Sequence, residues 1–389
     1  MILRTATRRT IPALLAALLV VATACSSSGS HPAVEPRTTT STVPAAPAPY
    51  AKTGPYAVGV TTLHFDGRRA VVWYPVERGT ESGHPQEVFD IASLLSPTLQ
   101  ALIPAGKRPL YKVAAYKNAP GATSPGRYPL VIFSHGFAGY PEQSLTLTTH
   151  LASWGFVVAA PDHVERSLDG LLGTAASGVT KMTGLALLAE TTNQVVSASK
   201  GTGILHGLVD GTRIVAAGHS AGADAAYQFA SADPRVKAWI SYSVEFGGRA
   251  GPAPAAPNKP GMVMLGTTDG IIPAAASEKV YAGMRSPKYL VKVDRAGHLV
   301  FSDICLIGRA QGGVIGIAKA IKLPIPPSLF KLGTDGCTSD HPLAETAFPA
   351  IDQLSVAFFR SALHIDKTPV GLDTQAVSGL GAKVTVVKG

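Results

Sequence analysis

Short runs of consecutive apolar residues recur along the chain from about Pro55 onward, and segments with helical periodicity lie between them. The runs LVIF, FVVAA and MVML do not alternate with polar positions. Uninterrupted apolar runs of this kind are typical of parallel strands that are covered on both faces. The order of strands and helices therefore predicts one α/β domain with a doubly wound, mostly parallel sheet and helices on both faces.

The individual elements follow from the same pattern. Strands are predicted at AVGVTTLHF, RRAVVWYPV, YPLVIFS, GFVVAAP, IVAA, VKAWISYSV, PGMVMLG and KYLVKV. Helices are predicted near PEQSLTLTTHLASW, from about Lys181 to Val209, from Ala223 to Ala230 and from about Ala344 to His364. A further helical stretch is expected near EVFDIASLLS, within an excursion from Glu77 to Arg127.

The N-terminal residues predict a targeting segment instead of a folded element. A basic cluster is formed by Arg4, Arg8 and Arg9. The apolar run over 11–22 is short for a membrane span, and ATAC ends in Cys25. This pattern resembles a bacterial lipoprotein signal, so we predict a signal peptide at 1–24 and a lipidated Cys25. The alternative is simple cleavage near Ala24 and release.

The segment 25–55 is rich in Ser, Thr, Pro and Ala and carries no apolar period. Such a segment buries too little apolar surface to fold, so it is predicted to be a tether. The folded domain is then expected at 56–389. It would be exported as a monomer and held at the outer face of the cell membrane by the lipid, with secretion as the alternative.

Charge and short motifs exclude several classes of partner. The formal charge is +9, and three of the arginines belong to the predicted signal peptide. The other charges form no basic stripe, which argues against binding to nucleic acid.

Sequence motifs for metal and nucleotide binding are absent or misplaced. The motifs HExxH, CxxC and GxxxxGK[ST] do not occur in the sequence, and GTGILHG, which loosely resembles a dinucleotide-binding loop, precedes its predicted strand instead of following one. We therefore expect no metal and no other cofactor.

Two cysteines remain besides Cys25, namely Cys305 and Cys337. In an oxidising compartment they most simply pair with each other, so a disulfide is predicted between them. Two unpaired, buried thiols are the alternative.

The stretch RIVAAGHSAGADAA places Ser220 in a Gly-x-Ser-x-Gly pentad between a predicted strand and a predicted helix. A serine on such a sharp turn has a strained backbone and an exposed hydroxyl, which suits a nucleophile. Gly218 and Gly222 would be small because strand and helix pass close together there. The alternative is that Ser220 is itself a small packing residue.

A nucleophilic serine needs a histidine base and a carboxylate that orients it, and in this architecture they follow in the order Ser, acid, His. His298 follows the last predicted core strand directly and is the candidate base, whereas His341 and His364 are expected to be surface residues. Asp269, in the turn after MVML, is the candidate acid. Glu245, at the end of the preceding strand, is its competitor.

The oxyanion of the reaction needs two backbone donors. The residue after the nucleophile, Ala221, supplies one candidate amide, and Phe137 in SHGFAGY supplies the other. The phenyl ring of Phe137 could also form a wall of the acyl site. The neighbouring polar residues His135, Asp162 and His163 are expected to fix loops instead of taking part in the chemistry.

Taken together, PLVIFSHGF, LASWGFVVAAPDH, GHSAGADAA, LGTTDGIIP and AGHLVF resemble the α/β-hydrolase superfamily, over roughly Pro55 to Leu363. Within it, the sequence is similar to the branch of platelet-activating-factor acetylhydrolases, dienelactone-hydrolase-like proteins and bacterial cutinases. The resemblance implies an α/β-hydrolase fold with an eight-stranded sheet. It also implies a triad of Ser220, Asp269 and His298 that hydrolyses carboxylic esters without a cofactor.

A long apolar segment spaced with lysines separates His298 from the final helix. Because the predicted disulfide anchors it, residues 304–343 are expected to form a lid-like insertion over a lipid-like acyl chain. A surface helix packed away from the site is the alternative.

The favoured function is a serine esterase or lipase for short to medium or lipid-like acyl esters. The competing functions are an acyltransferase with the same acyl-enzyme and a non-catalytic lipid-binding lipoprotein.

Overall fold

A computed structural model of the chain describes residues 48–104, 106–247 and 253–389. The predicted signal peptide, Cys25 and most of the tether lie outside the described residues. In the described part of the chain, none of the helices combines the length and the apolar character that spanning a bilayer requires.

The described residues form one sheet of eleven strands in the order β11-β10-β9-β8-β7-β5-β6-β2-β1-β4-β3. The strands are β1 Ala57–Phe65, β2 Arg68–Val76, β3 Gln86–Asp90, β4 Leu110–Lys117, β5 Tyr128–Ser134, β6 Val157–Pro161, β7 Val209–His219, β8 Val236–Tyr242, β9 Gly261–Gly266, β10 Lys288–Val293 and β11 Val384–Lys388. The six central strands from β6 to β10 pair in parallel, while β2 joins them in the antiparallel direction. The predicted mostly parallel sheet is therefore confirmed.

Helices cover both faces of this sheet. They are α1 Pro97–Gln100, α2 Leu145–Ser153, α3 Leu168–Leu172, α4 Gly184–Lys200, α5 Ala221–Ala232, α6 Ala274–Ala282, α7 Gly313–Ala320, α8 Pro327–Leu332, α9 Phe348–Ala362 and α10 Thr374–Val377. Along β7, Val215 and Ala217 pack in the core shared with α2 and α9, whereas Ile214 and Ala216 pack in the core shared with α4 and α5. Since both sides of the strand are buried over residues 214–217, its sequence IVAA is apolar without alternation there.

The sheet is larger than the eight strands that the resemblance implies. Strands β3 and β4 extend one edge, and β11 pairs antiparallel with β10 at the other. The helical stretch predicted near EVFDIASLLS is only partly present, because the first residues of this segment belong to β3, which pairs with β4. Only Ile91–Leu94 is helical there, as a single 3-10 turn capped by the carboxylate of Asp90.

The long helix predicted from about Lys181 to Val209 is also shorter in the structure. Helix α4 spans Gly184–Lys200, and the extended backbone of Gly201 ends it. The last long helix, α9, begins at Phe348 and is followed by two elements that the pattern does not predict, α10 and β11.

The predicted disulfide between Cys305 and Cys337 is present, with an S–S distance of 2.02 Å. It closes a loop that contains α7 and α8. Cys305 is buried, whereas Cys337 is exposed.

Candidate active site

Ser220 lies at the junction between β7 and α5, in a backbone conformation that is rare for a residue with a side chain. Its φ is 58° and its ψ is −126°. Such a conformation costs about 1–3 kcal/mol and persists only where the surroundings impose it. Here the amide of Ser220 donates a hydrogen bond to the carbonyl of Tyr242 at the end of the neighbouring strand, at 2.9 Å.

The two glycines of the pentad explain why this turn is possible. A Cβ atom on Gly218 would lie 2.1 Å from the carbonyl oxygen of Gly222, and one on Gly222 would lie 2.0 Å from the carbonyl oxygen of Ser134. Both positions therefore have no room for a side chain. Gly218 and Gly222 are therefore the residues that allow strand and helix to pack closely at this turn. Ser220 instead lines a cavity.

His298 and Asp269 come together from two adjacent loops. His298 follows β10 and Asp269 follows β9, and these strands are parallel neighbours. Nδ1 of His298 donates a hydrogen bond to Oδ2 of Asp269 at 2.8 Å, and both side chains are buried. The other carboxylate oxygen, Oδ1, accepts hydrogen bonds from the amides of Ile271 and Ile272, each at 2.8 Å.

These contacts fix the charge of the carboxylate. Burial raises the pKa of Asp269, but the hydrogen bond and the charge of His298, together with the two amides, more than offset burial. The net pKa is therefore below the ordinary value of an aspartic acid, and Asp269 is ionised at neutral pH.

The second ring nitrogen of His298, Nε2, is buried and has no hydrogen-bond partner among the described residues. His298 and Ser220 line the same cavity. A hydrogen bond between the Ser220 hydroxyl and Nε2 is not formed, which is common in active sites without a bound substrate. Nε2 is thus the nitrogen that remains able to accept a proton.

The competing candidates lie elsewhere. Glu245 stands just beyond the end of β8 and is exposed, and it does not line the cavity. His341 is close to Asp340, with 3.6 Å between its Nδ1 and the carboxylate, and His364 is exposed. The structure therefore brings Asp269, and not Glu245, to His298.

The two candidate oxyanion donors are the amides of Ala221, at the start of α5, and of Phe137, in the loop after β5. Ala221 is the first residue of α5, where amide groups have no partner within the helix. The loop after β5 passes so near that a Cβ atom on Gly136 would be 3.2 Å from Cβ of Ser220. Among the backbone hydrogen bonds of the described residues, none is donated by the amide of Phe137 or of Ala221. Both groups are therefore free to bind an oxyanion.

A buried hydrogen-bond chain that the sequence did not reveal connects this loop to the base. The amide of Gly136 donates to Oε1 of Gln143 at 3.0 Å, and Nε2 of Gln143 donates to Nδ1 of His219 at 2.8 Å. Nε2 of His219 then donates to the carbonyl of His298 at 3.0 Å. Burial and the nearby His298 lower the pKa of His219 to about 3, so its ring is neutral and accepts at Nδ1.

His135 and His163 hold the loop after β5, as expected from the sequence. Nδ1 of His135 donates to the carbonyl of Gly136 at 2.9 Å, and its Nε2 accepts from the amide of His163 at 3.0 Å. Nε2 of His163 lies 2.8 Å from Oγ of Ser134. Asp162 is buried beside them, with one oxygen 3.8 Å from Nε2 of His135.

The cavity in front of Ser220 has a volume of about 170 Å³ and is mostly apolar. One wall comes from the disulfide-anchored segment, through Val314, Ile317, Ile321, Ile325 and Leu329. Further aliphatic lining comes from earlier parts of the chain, through Ile91, Leu95, Leu168 and Leu172. The side chains with polar groups on its lining are few, namely Tyr140, Gln143, His219, Ser220 and His298.

Comparison with known proteins gives matches to two family models and to a solved structure. The family model "Platelet-activating factor acetylhydrolase, isoform II" matches residues 49–170, and the model "Dienelactone hydrolase family" matches residues 113–298. A solved structure, the ferulic acid esterase from Streptomyces cinnamoneus, is 24% identical, with a TM-score of 0.57. The alignment covers 88% of this chain and 98% of that one, and it shows a shared fold. The chain therefore has an α/β-hydrolase fold, and the two family models that match parts of it are models of hydrolases.

Proposed function

We propose that the protein is a serine esterase in which Ser220, His298 and Asp269 form the catalytic triad. One observation carries this proposal. A serine held at φ 58° shares an apolar cavity with a buried histidine whose Nδ1 is bound to a carboxylate and whose Nε2 is unpaired. This is the arrangement that activates a hydroxyl group for attack on an acyl carbon.

The reaction follows from the positions of these groups. Oγ of Ser220 attacks the ester carbonyl while Nε2 of His298 accepts the proton, and ionised Asp269 stabilises the resulting imidazolium. The amides of Phe137 and Ala221 bind the oxyanion, and collapse of the tetrahedral intermediate releases the alcohol, protonated by His298. Water, activated by the same nitrogen, then cleaves the acyl-enzyme and releases the carboxylic acid.

The disulfide-anchored segment of residues 304–343 supports a substrate with an apolar acyl chain. Its helices α7 and α8 and the loop between them form a wall of the cavity with aliphatic side chains. Ile317 and Ile321 are buried there although they belong to this short segment. We therefore assign this segment the role of a lid over the acyl chain of the substrate.

The test is hydrolysis of p-nitrophenyl esters of increasing acyl length by the purified protein. We expect kcat/KM to rise about threefold to fourfold for each CH₂ group that enters the cavity, because burial of one CH₂ is worth about 0.8 kcal/mol. The variant Ile317→Ser is expected to flatten this rise. Leu343→Ser, at an exposed position of the same segment outside the cavity lining, is its matched control. Absence of hydrolysis for every ester would refute the proposed function, and rapid transfer to an added alcohol would instead identify an acyltransferase.

The location proposed for the protein is the outer face of the cell membrane, through a lipid on Cys25. The signal-like N-terminus and the polar segment after it support this proposal. In cell fractionation, we expect the full-length protein in the membrane fraction and the variant Cys25→Ser in the soluble fraction. Ser26→Ala, at the adjacent position, is expected to remain with the membrane. A Cys25→Ser protein that stays equally in the membrane fraction would show that another element is the anchor.

A further inference from the structure

A second carboxylate contacts the loops of both the acid and the base. Oδ1 of Asp335 accepts a hydrogen bond from the amide of His298 at 2.5 Å. The amide of Gly270, directly after Asp269, donates to both oxygens of the same carboxylate, at 3.1 and 3.3 Å. The carbonyl of Asp335 also accepts from the amide of Leu299 at 3.0 Å. One residue of the disulfide-anchored segment thus bridges the two catalytic loops.

The chain is shaped to admit this carboxylate. A Cβ atom on Gly270 would lie 2.3 Å from Oδ2 of Asp335, and one on Gly297 would lie 2.7 Å from its Oδ1. The same atom on Gly297 would be 2.5 Å from the amide nitrogen of Gly336. Any side chain at these two positions would push Asp335 out of reach, so the two glycines keep the bridge possible.

The partners of this carboxylate are backbone amides. No ion pair involves Asp335 within residues 48–104, 106–247 and 253–389. Hydrogen bonds from amides to a charged carboxylate are stronger than those to a neutral acceptor. The carboxylate of Asp335 therefore binds the backbone of both loops, and the disulfide-bonded Cys337 lies two residues further along the chain.

We infer that Asp335 is a positioning residue, which sets the distance between Asp269 and His298 by holding the loop of each. This inference rests on the proposed triad. The acid and the base are on separate loops, after β9 and β10, and their 2.8 Å hydrogen bond depends on the relative position of these loops. Small displacements of catalytic groups lower the rate strongly, by up to about 100-fold for 1 Å.

The experiment compares Asp335→Ala and Asp335→Asn with the wild type on the best p-nitrophenyl ester. Rates are expressed per active site, counted with a fluorophosphonate probe, and folding is followed by circular dichroism. We expect Asp335→Ala to lower kcat about 10-fold to 100-fold while KM changes less than about twofold. Asp335→Asn keeps one acceptor oxygen and is expected to restore part of the loss. Asp340→Ala, at an exposed aspartate of the same segment, is expected to keep the wild-type kcat.

The outcomes separate the inference from the function on which it rests. Full kcat per active site in Asp335→Ala, or an equal loss in Asp340→Ala, would overturn the role of Asp335. If the alanine variant fails to fold, the result for Asp335→Asn decides. A lowered kcat at unchanged KM in this variant supports the inference, whereas wild-type kcat overturns it. A wild-type protein that neither hydrolyses the ester nor reacts with the probe would instead refute the proposed function.

Discussion

Replacing Ser220 by alanine is expected to lower kcat on an activated ester by about five orders of magnitude or more, because the nucleophile is lost while the cavity remains. Binding should persist, since the aliphatic walls of the cavity are unchanged. The expected signature is therefore a loss of kcat with little change in the affinity for a non-hydrolysable ester analogue. Steady-state kinetics and a binding measurement on the same preparation test it.

The chain offers its own control for this assignment, since a second serine also lies beside a histidine. Oγ of Ser134 is 2.8 Å from Nε2 of His163, but it also accepts a hydrogen bond from Arg166 and is fully buried. A fluorophosphonate probe is expected to label the wild type and Ser134→Ala, and not Ser220→Ala. Labelling that is lost in Ser134→Ala and kept in Ser220→Ala would move the nucleophile to the earlier strand.

The strain at Ser220 gives an independent check of the turn. Glycine adopts positive φ without steric cost, so Ser220→Gly should relieve about 1–3 kcal/mol of strain. Glycine has more conformational entropy than alanine in the unfolded chain, which offsets roughly 0.5–1 kcal/mol of this gain in stability. We therefore expect Ser220→Gly to be inactive but more stable to denaturant than Ser220→Ala. A less stable glycine variant would contradict a strained backbone at this position.

The parts of the fold that the sequence predicts are those with a local cause. Strands β5 and β9, and residues 214–217 of β7, are buried on both faces, so each contains an unbroken apolar run that can be recognised without its partner strands. The turn at Ser220 is likewise local, because two glycines and a short strand are enough to indicate it. Asp269 and His298 follow from chain order, since carboxyl ends of parallel neighbours meet at one edge of the sheet.

The parts that the sequence does not predict depend on distant pairing. Strand β11 is short and largely exposed, and it is a strand because β10 offers an unpaired edge to it. The segment EVFDIASLLS has the composition of a helix, and pairing with β4 overrides that tendency in its first half. Similarly, no local signal marks Asp335, which meets His298 only after the disulfide-anchored segment has folded back onto the catalytic loops.

Asp269→Asn is expected to lower kcat/KM on a model ester by about three orders of magnitude or more, with the protein folded. The structure gives the reason atom by atom. The amides of Ile271 and Ile272 both donate to Oδ1, so the oxygen of an asparagine must occupy that position. Its NH₂ group then faces Nδ1 of His298, donates to it and leaves the ring proton on Nε2. A histidine protonated at Nε2 cannot accept the proton of Ser220.

Glu245→Gln is the matched control for this prediction, since it also replaces a carboxylate by an amide near the carboxyl edge of the sheet. Glu245 is exposed and lies outside the cavity, so we expect its loss of kcat/KM to be less than about tenfold. Both variants are measured with the same ester, and circular dichroism checks that each is folded. The reverse ranking would assign the acid to the loop after β8 and leave Ser220 and His298 in their proposed roles. Equal losses in both variants would show that charge near the site, and not the tautomer of His298, limits the reaction.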